Sequence, residues 1–314
     1  MSTSTVGRIL RPAGVVSRQA VIRRFWRNYG IAYLFILPAF ALFFVFMIYP
    51  AADGIALGFQ EWDGILARRF VGFANFVYIF GDPKFRVALV NTIFFTVVTT
   101  AGKILIGFLT AAALHREIRG SSFFRGVFYL NVILPMTAVG VLWGAILNPN
   151  TGPLAAILAW FNADMPSTLG SAGRVMWVLS LIDIWKYSGF AMIFLLAAME
   201  GIPQDMYEAA ELDGASGIGR LWHITVPLIM PVLVTITMLQ TVFSFKVFDI
   251  VFTMTKGGPG NASQVLTTYL YQEGFWFQRF GTASAAGLVL LVICVGFSYL
   301  YIRRGRIGKS EFEY

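Results

Sequence analysis

The sequence predicts an all-α integral membrane protein with six transmembrane helices. Of its 314 residues, 57% are hydrophobic and only 13% are charged, whereas roughly 25% of the residues of a soluble domain are charged. This composition also excludes a disordered chain, which needs low hydrophobicity and high charge. Because backbone groups in lipid must be satisfied within their own segment, the apolar stretches are predicted to be helices. A membrane β-barrel would instead show alternating segments of about ten residues.

Six stretches are long enough to cross a bilayer core, which needs about 20 mostly apolar residues. They cover residues 30–49, 87–114, 126–147, 175–199, 226–247 and 283–302. A seventh apolar patch, residues 154–161, is too short to span and is predicted to lie at the membrane interface. The first stretch is longer than the 7–15 residues of a typical signal-peptide core, which favours an uncleaved anchor.

Basic residues predict the orientation of the spans. The predicted tail 1–28 contains six Lys and Arg, the second connection three and the tail 303–314 four, against four, one and two in the alternate connections. Cytoplasmic loops are enriched in Lys and Arg, so both tails of the membrane domain 29–302 are predicted to be cytoplasmic. The net charge of +8 is therefore attributed to topology, and a nucleic-acid partner is not predicted.

The fourth connection departs from this pattern. Its predicted loop, residues 201–225, lies on the cytoplasmic side by parity, yet Arg220 is its only Lys or Arg. The acidic residues of this connection are Glu200, Asp205, Glu208, Glu211 and Asp213. We call residues 200–216 the acidic loop.

A short helix is predicted within the acidic loop. Pro203 suits the entry to a helix, and Gly214 is typical of a helix end. Ala209 and Ala210 leave a low-relief surface that another protein could approach closely. Glu208 beside them can accept a charge-assisted hydrogen bond from an Arg or Lys of a partner.

The acidic loop and the segment after it resemble the EAA signature of binding-protein-dependent ABC importer permeases. The matching residues are Glu208-Ala-Ala, then Gly214, then Ile224-Thr-Val-Pro227, with Val226 in place of the usual leucine. Residues 245–252 and 255–260 resemble the carbohydrate branch, and the likeness covers about residues 33–302. The chain is similar to the maltose and glycerol-3-phosphate importer permeases.

This resemblance implies the type I ABC importer permease (MetI-like) fold and a sugar importer in a bacterial inner membrane. It implies four kinds of partner: a second homologous permease, two ATPase subunits, an extracytoplasmic solute-binding protein and the carbohydrate substrate. It implies no covalent chemistry and no cofactor in this chain, with ATP and Mg on the ATPase subunits. The residues expected to contact the ATPase are Glu208, Ala209, Ala210, Asp213 and Gly214.

Polar residues inside the spans are functional candidates, because lipid disfavours them. The residues predicted to line a sugar pathway are Asn91, Asp183, Lys186, Tyr187, Gln240 and Phe243. The alternative is hydrogen bonding between helices. Asp183 and Lys186 are three residues apart and are predicted to neutralise each other. These charges do not select among sugars.

Three other function classes remain as alternatives. An ion-coupled secondary transporter usually shows internal repeats, and the chain has no clear repeat. A membrane enzyme needs a convergent catalytic set, and none is visible; a channel would not require the spacing of residues 208–227. The sequence has no Gly-x-x-x-x-Gly-Lys-[Ser/Thr] motif for ATP, and the widely separated His115 and His223 do not predict a metal site.

Overall fold

The computed structural model describes residues 33–115 and 120–307, with side chains up to residue 303. The predicted tail 1–28, the basic residues Arg116 and Arg119, and the end of the predicted tail 303–314 lie outside the described residues. The chain divides into two compact units between Gly54 and Ile55.

The regular secondary structure of the described residues is helical apart from one small hairpin. In chain order, α1 is Tyr33–Leu57, α2 Ala74–Gly81, α3 Pro83–Leu114, α4 Ser121–Ile133, α5 Met136–Ile146, α6 Pro153–Trp160, α7 Val175–Glu200 and α8 Gln204–Leu212. α9 covers residues 217–245, α10 is Asp249–Met254, α11 Leu266–Tyr271 and α12 Phe280–Ile307. The hairpin pairs β1, Gln60–Glu61, antiparallel to β2, Arg69–Phe70.

Five helical segments are long and apolar enough to cross a membrane: Tyr33–Leu57, Pro83–Leu114, Val175–Glu200, Gly217–Met254 and Phe280–Arg303. The predicted stretches 87–114, 175–199, 226–247 and 283–302 lie within four of them. The first stretch, 30–49, overlaps the remaining segment, Tyr33–Leu57, and begins before the described residues. The patch 154–161 forms the short helix α6, and its place at the membrane interface stays a prediction.

The third predicted span is not one continuous helix. Residues 126–147 belong to α4 and α5, which meet at an angle of 96° across Leu134 and Pro135. Proline lacks an N–H and pushes the residue before it out of the helical region, and both residues are extended, with ψ of 135°. Hydropathy is continuous across this break, so the apolar pattern does not mark it. Counted as one broken span, the pair brings the total to six.

Two of the long helices widen just before a proline. Phe44–Ile48 and Leu221–Thr225 are π-helical turns, and Pro50 and Pro227 follow each of them at the second position. A widened turn moves the carbonyl that a proline ring would otherwise meet. α9 therefore begins at Gly217, before both prolines, and Pro227 and Pro231 lie within it.

Small residues bring the two central helices together. A Cβ added to Gly107 of α3 would stand 2.6 Å from the Ala191 Cβ of α7, and one added to Gly102 would stand 2.4 Å from the Ile184 side chain. Close approach at glycine and alanine is the usual basis of helix packing in membranes. α3 and α7 thus form the rigid centre that positions the polar residues described next.

Candidate functional site

The acidic loop contains the predicted short helix, α8, which the sequence starts and stops sharply. Pro203 stands at its N-cap in an extended conformation, and Asp205 lies in its first turn, where the helix dipole favours an acid. At the other end Gly214 has a φ of +80°. The Ala215 N–H donates to the Ala210 carbonyl at 2.9 Å, and the Gly214 N–H to the Glu211 carbonyl at 3.0 Å. These two bonds form a Schellman motif, which requires the left-handed residue at position 214.

Two polar contacts tie α8 to the start of α9. The Tyr207 hydroxyl is 2.9 Å from the Thr225 Oγ1, and Arg220 donates to the Glu211 carboxylate at 2.6 Å. The Tyr207 ring also packs beside the ring of His115, at the end of α3, with 5.8 Å between centroids. The short helix is therefore held by side chains of the neighbouring helices and not by the loop backbone alone.

The outer surface of α8 presents four of the five residues expected to contact an ATPase. Glu208, Ala209, Asp213 and Gly214 are exposed, and Ala210 is half-buried. Leu212, which the sequence reasoning did not select, is 90% exposed. A large apolar side chain exposed on an acidic helix is a candidate contact for another protein, and its place directly before Asp213 and Gly214 in the acidic loop is the signal that could have identified it.

A cavity of about 960 Å³ opens between α8 and the helix ends behind it. Its polar lining includes Glu200, Tyr207, Glu208, Glu211 and Arg220. Glu208 therefore reaches both the outer surface of α8 and this space.

A second cavity, of about 320 Å³, lies among the long helices, and we call it the inner cavity. Four of the six predicted pathway residues line it: Asp183, Tyr187, Gln240 and Phe243. The rest of the lining comes from Lys103, from Met136 at the start of α5, and from residues 246–250, where the chain leaves α9 and enters α10. Two helix breaks, at 134–135 and at 246–248, thus border the same cavity.

The other two predicted pathway residues, Asn91 and Lys186, are not part of this lining. The Asn91 amide donates to the carbonyls of Ala262 and Gln264, at 2.9 Å each. The buried Lys186 ammonium donates to the carbonyls of Asn131, Val132 and Leu134 at 3.1, 3.2 and 2.6 Å. These carbonyls lie at the end of α4, where the helix break leaves acceptors without intrahelical donors.

The predicted pairing of Asp183 with Lys186 is wrong. Asp183 instead accepts from Lys103 of α3 at 2.8 Å, and both side chains are almost fully buried. Lys103 also donates to the Ser244 Oγ at 2.8 Å, and the Thr99 hydroxyl is 2.9 Å from the same oxygen. The partner of Asp183 therefore comes from α3 and not from its own helix, α7. Because Ser244 belongs to α9, the network joins all three helices.

Aromatic rings border the charged groups of the inner cavity. The Lys103 and Lys186 ammonium groups lie 5.7 and 4.5 Å from the centroid of the Tyr187 ring. The Lys246 ammonium is 5.8 Å from the Phe243 ring centroid, and the Gln240 amide donates to the Tyr187 carbonyl at 3.4 Å. Phe248 was not among the predicted pathway residues; the loss of helical periodicity after Phe245 brings it to the cavity together with the charged Lys246 and Asp249.

A separate polar cluster connects the segments outside the long helices. Arg279 donates to the Tyr78 hydroxyl at 2.6 Å and lies 3.7 Å from the Glu273 carboxylate. Burial raises the pKa of Glu273, and Arg279 partly offsets that rise. Burial and the hydrogen bond to Asp82 raise the pKa of Tyr269. In the β1–β2 hairpin, the Leu66 and Ile65 amides donate to Asp63 and lower its pKa.

A family model described as "Binding-protein-dependent transport system inner membrane component" matches residues 103–305. This range contains the acidic loop, the inner cavity and most of the long helices. The chain belongs to this family. It is therefore a multi-pass inner-membrane protein and a permease subunit of an ATP-binding-cassette importer, which carries out no covalent chemistry itself.

Two curated relatives extend the likeness over nearly the whole permease. The probable ABC transporter permease protein YurN of Bacillus subtilis is 33% identical over 290 residues, which cover 91% of this chain and 99% of that protein. The trehalose/maltose transport system permease protein MalF of Thermococcus litoralis is 28% identical and covers 91% and 97%. These relatives give no support to an ion-coupled secondary transporter.

A solved structure shows the same fold. The permease matches a chain of a bacterial alginate ABC transporter, crystallised with an alginate pentasaccharide-bound periplasmic protein, with a TM-score of 0.81. The two chains are 24% identical over 91% of this one and 99% of that one. The family needs no cofactor of its own, and among the described residues no group of three or more His, Cys, Asp and Glu side chains could hold a metal ion.

Proposed function

We propose that this permease imports a sugar and that its acidic loop is the coupling element that docks on an ATPase subunit. The exposed surface of α8, with Glu208, Ala209, Asp213 and Gly214 on a helix closed by a Schellman motif, is the observation that carries the docking proposal. The carbohydrate substrate is supported by the trehalose/maltose permease among the relatives and by the aromatic and polar lining of the inner cavity.

The proposed assembly contains a second homologous permease, two ATPase subunits that hold ATP and Mg, and an extracytoplasmic solute-binding protein. The basic residues of the tails 1–28 and 303–314 favour cytoplasmic termini. The acidic loop then faces the ATPase subunits, and the segments 148–174 and 256–278 face the binding protein.

α9 offers a direct route from the docking surface to the inner cavity. α8 is tied to the start of α9 through Glu211–Arg220 and Tyr207–Thr225. The same helix contributes Gln240 and Phe243 to the cavity near its other end. A displacement of α8 by the ATPase would therefore move the cavity lining as part of one helix, in the near rigid-body manner typical of packed helices.

Substitution of Glu208 tests the docking surface. Glu208→Lys removes an acceptor for a charge-assisted hydrogen bond, worth about 1.5–3 kcal/mol, and reverses the local charge. We expect ATP-driven uptake to fall at least tenfold and the ATPase subunit to be lost when the permease is purified by an affinity tag. Glu61→Lys is the charge-matched control, because Glu61 is an exposed acid of the β1–β2 hairpin, outside the acidic loop and outside the segments assigned to the binding protein. Unchanged uptake by the Glu208→Lys complex would rule out the docking role.

A further inference from the structure

We propose that the inner cavity accepts an uncharged saccharide unit in preference to one that bears a carboxylate or a phosphate. This inference rests on the proposed sugar import and adds the substrate class. It follows from how the charged side chains around the cavity are paired, which the sequence did not show.

The charges of the cavity lining balance. Lys103, Asp183, Lys246 and Asp249 are its charged residues, and together they carry no net charge. Lys103 and Asp183 are 2.8 Å apart, with 1% and 6% of their side chains exposed. A buried pair of this kind is costly to separate, so neither residue is available to compensate a charge on a ligand.

Lys186 does not change this balance, although it lies beside the cavity. Its ammonium group has three donors, and three carbonyls at the end of α4 accept from it. A ligand anion could recruit this ammonium only if α4 lost the donors at its C-terminal end.

Lys246 and Asp249 are the charges left to meet a ligand. Both are exposed and stand on either side of the break between α9 and α10. Across residues 33–115 and 120–303, no carboxylate oxygen lies within 4 Å of the Lys246 ammonium nitrogen. The Lys246 ammonium offers hydrogen-bond donors and the Asp249 carboxylate offers acceptors. Their two charges cancel.

An uncharged sugar suits this arrangement. Its hydroxyl groups can accept from Lys246 and donate to Asp249, and its ring faces can pack on Tyr187, Phe243 and Phe248 of the lining. A uronate or a sugar phosphate would satisfy Lys246 but would bring its anion close to Asp249, in a cavity whose charges already balance and where an added charge is disfavoured.

Ligand binding to the complete transporter tests the proposal. The complex of both permeases and the ATPase subunits, without the binding protein, is placed in lipid nanodiscs and examined by saturation-transfer NMR. The probes are the methyl glycosides of glucose, galactose and mannose, each beside its C6 uronate, and glycerol-3-phosphate. We expect at least one neutral glycoside to bind with a signal that Phe243→Ala abolishes, and its uronate to bind at least tenfold more weakly.

Two single-charge variants provide the matched control. Asp249→Asn leaves the cavity with an extra positive charge and should raise the binding of the uronate relative to the neutral glycoside. Lys246→Gln leaves an extra negative charge and should lower that ratio. Equal shifts in the two variants, or no shift in either, would contradict the charge-balance argument.

The outcomes separate this inference from the proposed function. A uronate or glycerol-3-phosphate that binds the wild-type complex as tightly as the neutral glycosides, with a signal sensitive to Phe243→Ala, overturns the inference and leaves sugar import standing. If no probe gives a signal sensitive to Phe243→Ala, the inner cavity is not the sugar pathway, and the inference falls with that part of the proposed function.

Discussion

Gly214 is expected to be indispensable for coupling because of its backbone conformation. Its φ is +80°, and a Cβ added there meets no atom within 4 Å. A substitution therefore introduces no clash, and its cost is the strain of an L-residue in the left-handed region, about 1–2 kcal/mol. Such an energy changes an equilibrium by a factor of about 5–30. We expect the ratio of loops with a correctly ended α8, competent to dock on the ATPase, to loops without one to fall by about that factor.

A graded series of substitutions at Gly214 should give an ordered series of uptake activities. Asn tolerates the left-handed region better than other non-glycine residues, and β-branched residues tolerate it least. ATP-driven uptake into proteoliposomes should therefore decrease from wild type to Gly214→Asn, then Gly214→Ala, then Gly214→Val. The amount of assembled complex, measured by size-exclusion chromatography, corrects each rate for assembly.

Gly201 supplies the control within the same loop. Its φ is −76°, and a Cβ added there would be 3.5 Å from the nearest atom, the Ala198 carbonyl oxygen. Gly201→Ala should thus retain uptake close to that of wild type. The reasoning is refuted if Gly214→Val is as active as wild type, or if Gly201→Ala loses as much activity as Gly214→Ala.

Three further substitutions test the polar contacts elsewhere in the chain. Lys103→Met leaves the Asp183 carboxylate buried without its ion-pair partner, at a cost of about 3–5 kcal/mol. The thermal midpoint of the complex should fall, and adding Asp183→Leu should restore part of it; a double variant no more stable than the single one would contradict the pairing. Lys186→Met removes the donors at the end of α4 and should lower the thermal midpoint more than Lys186→Arg does; equal effects would show that these bonds do not hold the break. Burial raises the pKa of Glu273, so its contribution to stability is fully present below its ordinary pKa and is lost as pH rises through the raised pKa. Glu273→Gln should therefore reduce the gain in thermal midpoint on acidification from pH 7.5 towards about 4.5, and an unchanged pH profile would contradict this expectation.

The sequence was sufficient for the features that depend on local pattern. Mean apolar character over about 20 residues locates the long helices, because the bilayer imposes that length. The helix α8 follows from Pro203 and Gly214, whose backbone preferences act within one or two turns. The break after α4 also has a local cause in Pro135, but hydropathy averaged over the stretch 126–147 conceals it. A proline in the middle of an apolar span marks a candidate break only when the restriction on the residue before it is considered as well.

Contacts between distant segments could not be predicted in this way. Asp183 and Lys186 satisfy the rule for neighbours on one helical face, yet Asp183 binds Lys103, which is 80 positions away. The packing of α3 on α7 at Gly107 and Ala191 places that lysine next to the carboxylate. The rule describes exposed helices in water, whereas inside a bundle a buried charge can also be met by a side chain of a packed neighbouring helix.

The polar residues of the spans can be divided by asking whether their hydrogen-bonding groups are already used. Lys186 has three donors and three acceptors for them, and both bonds that the Asn91 amide donates go to carbonyls of one loop. Such residues hold the backbone in place and have little left to offer a ligand. Lys246 and Asp249, at the break between α9 and α10, retain their charges for a substrate that passes them. Since all these residues are equally conspicuous as polar groups in apolar sequence, hydropathy identifies the set, and only the pairing in three dimensions tells the residues that hold the helices from those that can meet the substrate.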